Sequence, residues 1–100
     1  MSVLEKKDLL FKAIPVVGLY TNAESSIIKK MINVAIGNVA VIQVKELKRQ
    51  LDLSHTAVYS SLKTLQLKEV ITKLQSQPHS YEINLIKLEH IITLYQNITL

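Results

Sequence analysis

Residues 51 to 71 read LDLSHTAVYSSLKTLQLKEVI. Its apolar residues recur at helical spacing, with Val58, Leu62 and Leu65 at positions i, i+4 and i+7. The side chains between them are mostly small, polar or basic. The pattern predicts a helix over about residues 55 to 67 that packs its apolar side inward and leaves its polar side exposed.

The polar side of this helix carries no negative charge. From Ser54 to Lys68 the chain has no Asp or Glu, whereas an ordinary solvated helix face mixes acids with bases. Short polar, basic and aromatic groups can hydrogen-bond to base edges or stack on them. We predict that this side reads the bases of nucleic acid; the alternative is an ordinary solvated face. The residues assigned to base reading are His55, Thr56, Tyr59, Ser60 and Lys63.

Positive charge is concentrated around the same stretch. The chain has 12 Lys and Arg against 8 Asp and Glu, a formal net charge of +4. Residues 44 to 73 hold six of the basic and three of the acidic residues, so six minus three gives +3 of that +4. A basic surface favours polyanionic partners.

The first helix is predicted at the N-terminus. Residues 2 to 14 place apolar side chains at helical spacing, and Ser2 is a candidate N-cap. Pro15 is predicted to stop this helix, because proline disfavours helical backbone in the residue before it.

A second helix, a strand and a third helix follow in the predicted order. The second helix starts near Thr21 or Asn22 as its cap and is closed by Gly37-Asn38 as a stop signal. Residues 39 to 44 form a short segment rich in β-branched side chains, which predicts a small strand. Residues 44 to 51, VKELKRQL, predict a two-turn helix. Ser54 then caps the helix described above.

The C-terminal third is predicted to contain a β-hairpin and a last helix. Two strands are expected within residues 69 to 76 and 80 to 85, joined around Gln77-Pro78-His79. Residues 86 to 98 place their apolar side chains on one helical face.

Residues 44 to 85 read VKELKRQLDLSHTAVYSSLKTLQLKEVITKLQSQPHSYEINL, which is a short helix, a turn with Leu then Ser, a second helix and a hairpin. This order resembles the winged helix-turn-helix family of MarR-, PadR- and ArsR-type regulators. With the helix at 23 to 37 and the strand at 39 to 44, the resemblance covers about 60 residues. It implies an α+β fold, mainly α with a small β-hairpin, in a single domain over residues 1–100 whose core spans about 23–85.

Two features depart from the family's pattern. Its members often have a glycine just after the second helix, where this chain has Lys68 or Glu69. Because a left-handed non-glycine residue costs about 1 kcal/mol or more, we expect this corner to turn differently. The hairpin, or wing, is also poor in charge, since only Lys73 and His79 could approach a phosphate.

The resemblance also implies roles outside the second helix. The first helix of the pair crosses the DNA backbone in this arrangement, so its basic residues position the protein without choosing sequence. The extra helices at about 2–14 and 86–98 either pair two protomers into a homodimer, which we predict, or fold back on their own core. A C2 dimer would present two recognition helices to a palindromic site. The residues assigned to phosphate contacts are Lys45, Lys48, Arg49, Ser54, Lys73 and His79.

Other kinds of site find little support. Cysteine is absent, and His55, His79 and His90 lie in different predicted elements, so we expect no metal and no cofactor. Two glycines cannot build a phosphate-binding loop, and Ser54 and His55 are neighbours that do not face each other. We therefore predict that the protein is not an enzyme. No apolar run approaches the roughly 18 residues of a membrane span, so we expect no membrane partner and a cytoplasmic protein.

The predicted function is sequence-specific binding of double-stranded DNA by a small dimeric transcription regulator, acting as a repressor. A plasmid or viral DNA-maintenance protein, bound at a centromere-like, partition or origin site, would use the same residues. It would have a partner ATPase if it serves in partition. A third interpretation is a winged helix that binds only protein, which the weakly charged wing favours.

Overall fold

The computed structural model describes residues 3–99. After a short 3-10 helix at Val3–Lys6, the chain forms five α-helices and three short strands in this part of the sequence. The predicted candidate cap Ser2 lies outside the described residues. The elements are α1 (Lys7–Val16), α2 (Asn22–Val34), β1 (Val39–Val41), α3 (Val44–Leu51), α4 (His55–Leu67), β2 (Ile71–Lys73), β3 (Ser80–Ile83) and α5 (Leu85–Thr99).

The strands form one antiparallel sheet in the order β1-β3-β2. Tyr81 of β3 stands opposite Ala40 of β1 on one side and Lys73 of β2 on the other. β2 and β3 form the predicted hairpin, whose loop is closed by the Leu74 amide donating to the Ser80 carbonyl at 2.9 Å. The three strands lie where the sequence predicts them, although each is shorter than its predicted range. The fold is therefore mainly helical with a small antiparallel sheet.

α3 and α4 have the bounds that the sequence predicts. α3 begins at Val44 and ends at Leu51, and α4 follows after a three-residue turn. Asp52 turns the chain with a left-handed backbone, φ 53°. The Leu53 amide then donates to the Lys48 carbonyl at 3.1 Å, which holds the turn against the end of α3. The result is two helices that pack on each other across a short turn.

The corner after α4 contradicts the sequence-based expectation, because it forms the usual left-handed helix end without glycine. Glu69 takes the left-handed conformation, φ 61°. Its amide donates to the Gln66 carbonyl at 3.1 Å, and the Val70 amide donates to the Leu65 carbonyl at 3.0 Å. These are the two bonds of a Schellman motif. Asn84 Nδ2 also donates to the Glu69 carbonyl at 2.9 Å, so hydrogen bonds offset the strain of a non-glycine residue.

Both predicted stop signals near the N-terminus act differently from expectation. α1 continues past Pro15 to Val16, because the Val17 amide donates to the Ala13 carbonyl at 3.1 Å and the last turn stays closed. α2 ends at Val34, before Gly37. Gly37, with φ 64°, instead forms a turn whose flanking residues Ile36 and Val39 exchange two backbone hydrogen bonds. Of the two candidate caps, Thr21 and Asn22, Thr21 is the N-cap, since its Oγ1 accepts from the Glu24 amide at 3.1 Å.

One apolar core receives side chains from all five α-helices and all three strands. α1 packs against both α5 and α2. Three apolar side chains of each flanking helix are inside this core and almost inaccessible to solvent: Leu10, Ala13 and Ile14 of α1, and Leu88, Ile91 and Ile92 of α5. Val16 of α1 and Ile86 and Ile98 of α5 remain exposed. Much of the two apolar stripes is therefore buried within one chain, which reduces the apolar surface left for the predicted dimer interface. The homodimer and its interface on these helices stay a prediction.

Among residues 3–99, no helix combines the length and the apolar character required to cross a bilayer.

Candidate nucleic-acid interface

α4 is fixed in the fold by its cap and by one buried face. Ser54 Oγ accepts from the Ala57 amide at 3.0 Å, as the sequence predicts. Val58 and Leu65 are fully buried, and Leu62 is 3% exposed. Ser61 is also buried, although the sequence analysis did not place it on this face. Its position three residues after Val58 is the signal that could have shown it.

The opposite face of α4 is exposed along its length. Thr56, Ser60 and Lys63 stand at positions i, i+4 and i+7, and all three are exposed. His55 and Tyr59 lie beside them on the flank of the helix, with ring centroids 4.5 Å apart and planes tilted by 48°. Tyr59 is 51% exposed, so much of its ring surface is open for stacking. All five residues assigned to base reading are therefore accessible on adjacent parts of one helix.

A groove of about 310 Å³ joins α4 to α3 and to the hairpin. Its lining brings together four predicted site residues from three separate segments, namely Lys45, Tyr59, Lys73 and His79, with Gln43, Val44 and Tyr81 completing it. Both lysines and the histidine are exposed. We call this space the Tyr59 groove. It places cationic side chains next to an exposed aromatic ring, a combination found where proteins hold nucleic acid.

Tyr81 is a member of this groove that the sequence analysis missed. It is 4% exposed and lies on the central strand. Burial raises the pKa of the Tyr81 hydroxyl, and the nearby Tyr59 raises it further. The hydroxyl therefore stays protonated at neutral pH and can donate a hydrogen bond.

The predicted phosphate contacts on α3 differ in how free their charges are. Arg49 is exposed, but its guanidinium donates to Glu46 Oε2 in an i,i+3 ion pair. The hydrogen bond from Arg49, followed by one from Gln50, lowers the pKa of the Glu46 carboxyl. Lys48 is half-buried and has no ion-pair partner among residues 3–99. Lys48 is therefore a freer cation than Arg49.

The remaining predicted contacts are available in the described part of the chain. Ion pairs there form only between Arg49 and Glu46 and between Lys68 and Glu24. This leaves Lys45, Lys63 and Lys73 without a carboxylate partner within residues 3–99. Ser54 accepts from Ala57 as the helix cap, so its hydroxyl proton remains available to donate to a phosphate. No three metal-binding side chains cluster anywhere in the same range.

The far end of α4 is occupied by contacts within the protein. Lys68 Nζ donates to Glu24 Oε1 at 2.7 Å and to the Leu19 carbonyl at 2.9 Å. It also lies 5.2 Å from the centroid of the Tyr20 ring. Burial, and then the charge of Glu24, raise the pKa of Tyr20. Lys68 therefore holds the C-terminal end of α4 against the α1–α2 connection.

Two features separate this arrangement from a simple basic patch. Lys45 and Lys73 reach the Tyr59 groove from different elements, and Tyr59 lies between α3 and the hairpin. A ligand in this groove would therefore contact a helix end, a helix flank and a strand together.

Comparison of the chain with known protein families, with curated proteins and with solved structures gave no match.

Proposed function

We propose that the protein binds double-stranded DNA in a sequence-specific manner, with α4 as the recognition helix of a winged helix-turn-helix. In this proposal it is a small transcription regulator that acts as a homodimer. One observation carries the proposal: α4 exposes an acid-free polar face directly beside a groove lined by Lys45 and Lys73. The base-reading and phosphate-binding groups of a DNA-binding protein need this adjacency.

The order and packing of the elements support the proposal. α3 and α4 pack on each other across a short turn, and the β2–β3 hairpin follows α4 directly. A helix with its side chains is about 10 Å across, and the major groove of B-DNA is about 12 Å wide. The exposed side of α4 is thus of a size to enter that groove while its buried side stays on the core.

The chemistry of the exposed residues supports base reading near the start of α4. Thr56 lies in the first turn, where residues of a recognition helix usually approach the bases. Ser60 and Lys63 can donate or accept on the same face, and Tyr59 adds a ring on the flank. Lys45 and Lys73 would then contact phosphates beside the Tyr59 flank of the helix.

The test is a selection from random duplexes, followed by affinity measurements on the selected and a scrambled duplex over a range of salt. If a dimer uses about six to ten phosphates, its affinity should fall about 10³- to 10⁵-fold between about 50 and 200 mM salt. The selected duplex should bind more tightly at every salt concentration. An absence of duplex binding, or equal affinity for selected and scrambled duplexes, would refute the proposal.

A second candidate, an interface for a partner protein on α4, is favoured by one observation. Leu67 lies on the same face as Ser60 and Lys63 and is 74% exposed. Large exposed apolar side chains are more typical of protein interfaces than of DNA-binding surfaces. If Leu67→Asp left duplex binding intact but abolished capture of a purified partner, the protein-binding role would gain support beside the first.

A further inference from the structure

A second groove lies next to the Tyr59 groove and has a volume of about 440 Å³. It is bordered by α2, by β1 and the residues after it, and by α3. Three of its lining side chains are apolar and the others are polar or charged. The lining residues are Lys30, Val34, Val41, Ile42, Gln43, Lys45, Glu46 and Gln50. We call it the Lys30 groove.

The charges in the Lys30 groove favour an anionic occupant. Its single carboxylate, Glu46, already accepts hydrogen bonds from Arg49 and Gln50. Lys30 and Lys45 have no ion-pair partner within residues 3–99. The groove therefore offers two ammonium groups without an ion pair against one carboxylate, which is paired with Arg49 and interacts at longer range with Lys45. A metal cation would be repelled, whereas an anion would find two donors.

Lys45 and Gln43 line both grooves, so the two grooves form one continuous surface. This surface passes from Lys30 on α2, across the start of α3, to Tyr59 and Lys73. A small anion would occupy one groove only. Double-stranded DNA presents a phosphate charge about every 1.7 Å along its axis, so its backbone can follow the whole surface. The acid-free face of α4 next to it favours nucleic acid over an acidic protein segment.

We infer that Lys30 contacts the DNA backbone, and that the Lys30 groove receives a phosphate outside the stretch of DNA covered by α4. The inference rests on the proposed DNA binding and extends the DNA footprint onto α2, a helix to which the sequence analysis assigned no contact. Lys30 and Lys45 flank this phosphate, and Gln43 supplies an amide donor beside it.

The experiment compares Lys30→Met with Lys29→Met, using the full chain and the selected duplex. The two lysines are adjacent on α2 and both half-buried, but only Lys30 lines the groove. Methionine keeps an apolar side chain of similar length and removes the charge. Lys30→Met should lower the affinity for selected and scrambled duplexes equally, by several-fold. It should also lower the slope of log affinity against log salt concentration by about 0.9 for each phosphate that the protein no longer neutralises. Lys29→Met should match the wild type in both quantities.

A scan of single methylphosphonate substitutions then locates the phosphate. At one backbone position the neutral linkage should lower the duplex affinity of the wild type but not that of Lys30→Met. That variant has no ammonium group to pair with the phosphate. If no such position exists, or if Lys30→Met and Lys29→Met give the same salt slope, the inference is wrong while DNA binding stands. If the wild type binds no duplex, the proposed function fails and the inference fails with it. Tighter binding of polyglutamate than of duplex DNA would also overturn it, since the surface would then fit an acidic protein.

Discussion

Two lysines in the C-terminal part of α4, one within the helix and one at its C-cap, are used in opposite ways. Lys63 lies on the exposed face and has no carboxylate partner within residues 3–99. Lys68, five residues later, is bound to Glu24, to the Leu19 carbonyl and to the face of Tyr20. A count of basic residues treats the two lysines alike. The difference is whether the fold supplies a carboxylate, and Glu24 reaches Lys68 from a helix 44 residues away in sequence.

This comparison separates a lysine that holds the fold from one that is free to bind. Glu24 is 5% exposed, and a buried carboxylate needs a partner charge and hydrogen bonds. Lys68 provides that partner and is therefore committed to the fold. Lys63, Lys45 and Lys73 carry charges that remain available for an external anion. The net charge of +4 thus does not show which basic residues are paired within the fold and which are available for binding.

The largest expected effect tests the structural role of the C-terminal end of α4. Leu65 is fully buried and Leu67 is 74% exposed, although they lie two residues apart. Leu65→Ala should lower the free energy of unfolding by about 2–5 kcal/mol, because it leaves a cavity in the core. Leu67→Ala should change it by no more than about 0.5 kcal/mol. Chemical denaturation of both variants measures the difference, and similar decreases would mean that α4 is packed differently.

The next effect contrasts the two lysines directly. Lys68→Met leaves the buried Glu24 carboxylate without its partner and should lower the free energy of unfolding by about 1–3 kcal/mol. This is less than for a fully buried pair, because the Lys68 side chain is 38% exposed. Lys63→Met should leave stability within about 0.5 kcal/mol of the wild type.

The same two variants should show the reverse order in DNA binding. Lys63→Met should weaken duplex binding and lower its salt slope, whereas Lys68→Met should change neither at a temperature where it is folded. Affinity titrations on folded samples, checked by circular dichroism, provide the measurement. A decrease of affinity in Lys68→Met equal to that in Lys63→Met would abolish the distinction between the two lysines.

The helices of the core could be predicted from sequence because local signals agree with burial there. Ser54 at the N-cap and the Val58, Leu62 and Leu65 stripe give the bounds of α4. Glu69 could not be predicted, because the hydrogen bond from Asn84 that supports its left-handed backbone joins residues 15 apart in sequence. The fate of the flanking helices was not predictable either. An apolar stripe shows that a face is buried, and it does not show whether the partner is the same chain or a second copy.

Some features of the candidate site could likewise be predicted from the sequence, and others depend on the packed fold. Exposure of Thr56, Ser60 and Lys63 follows from helical periodicity, so the sequence could place them. The Tyr59 groove joins residues from position 43 to position 81, and only the packed fold brings them together. The ion pair of Arg49 with Glu46 is an i,i+3 contact that spacing could have suggested. The sequence analysis counted Arg49 as a free phosphate contact because it considered the charges one at a time.

The proposed base reading by the exposed face of α4 predicts a smaller effect. It concerns the ratio of the affinities for the selected and the scrambled duplex. A base-edge contact discriminates by about 1–3 kcal/mol, whereas a phosphate contact weakens all sequences alike. Tyr59→Ala and Ser60→Ala should therefore narrow the gap between the selected and scrambled duplexes. Neither residue lies in the core, so both variants should stay folded.

The matched comparison for these variants is Lys48→Ala. It should lower the affinity for both duplexes and leave the ratio of the two affinities unchanged. Each ratio is measured at one fixed salt concentration. If Tyr59→Ala and Ser60→Ala both keep the wild-type ratio, the exposed face of α4 does not read bases, and the recognition element lies elsewhere.

The smallest expected effect is a gain of affinity from Glu46→Gln. Glu46 is the carboxylate that engages Arg49 on α3 and lines the Lys30 groove. Glutamine removes a charge that repels phosphate and frees the guanidinium, so selected and scrambled duplexes should both bind more tightly, by less than about fivefold. Arg49→Ala in the wild-type background should cost less affinity than Lys48→Ala, and in the Glu46→Gln background the two costs should become similar.

The pH dependence of this gain follows from the lowered pKa of Glu46. A carboxyl whose pKa is lower in the folded state contributes its stabilisation above its unfolded pKa and loses it as the pH falls through the folded pKa. Glu46 is therefore ionised throughout the neutral range, and the advantage of Glu46→Gln should be constant between about pH 6 and pH 8. It should shrink only on acidification, when the wild-type carboxyl is protonated and releases Arg49 as the variant does. A gain that varies across the neutral range, measured by titrations at constant salt, would show that another group controls the charge on α3.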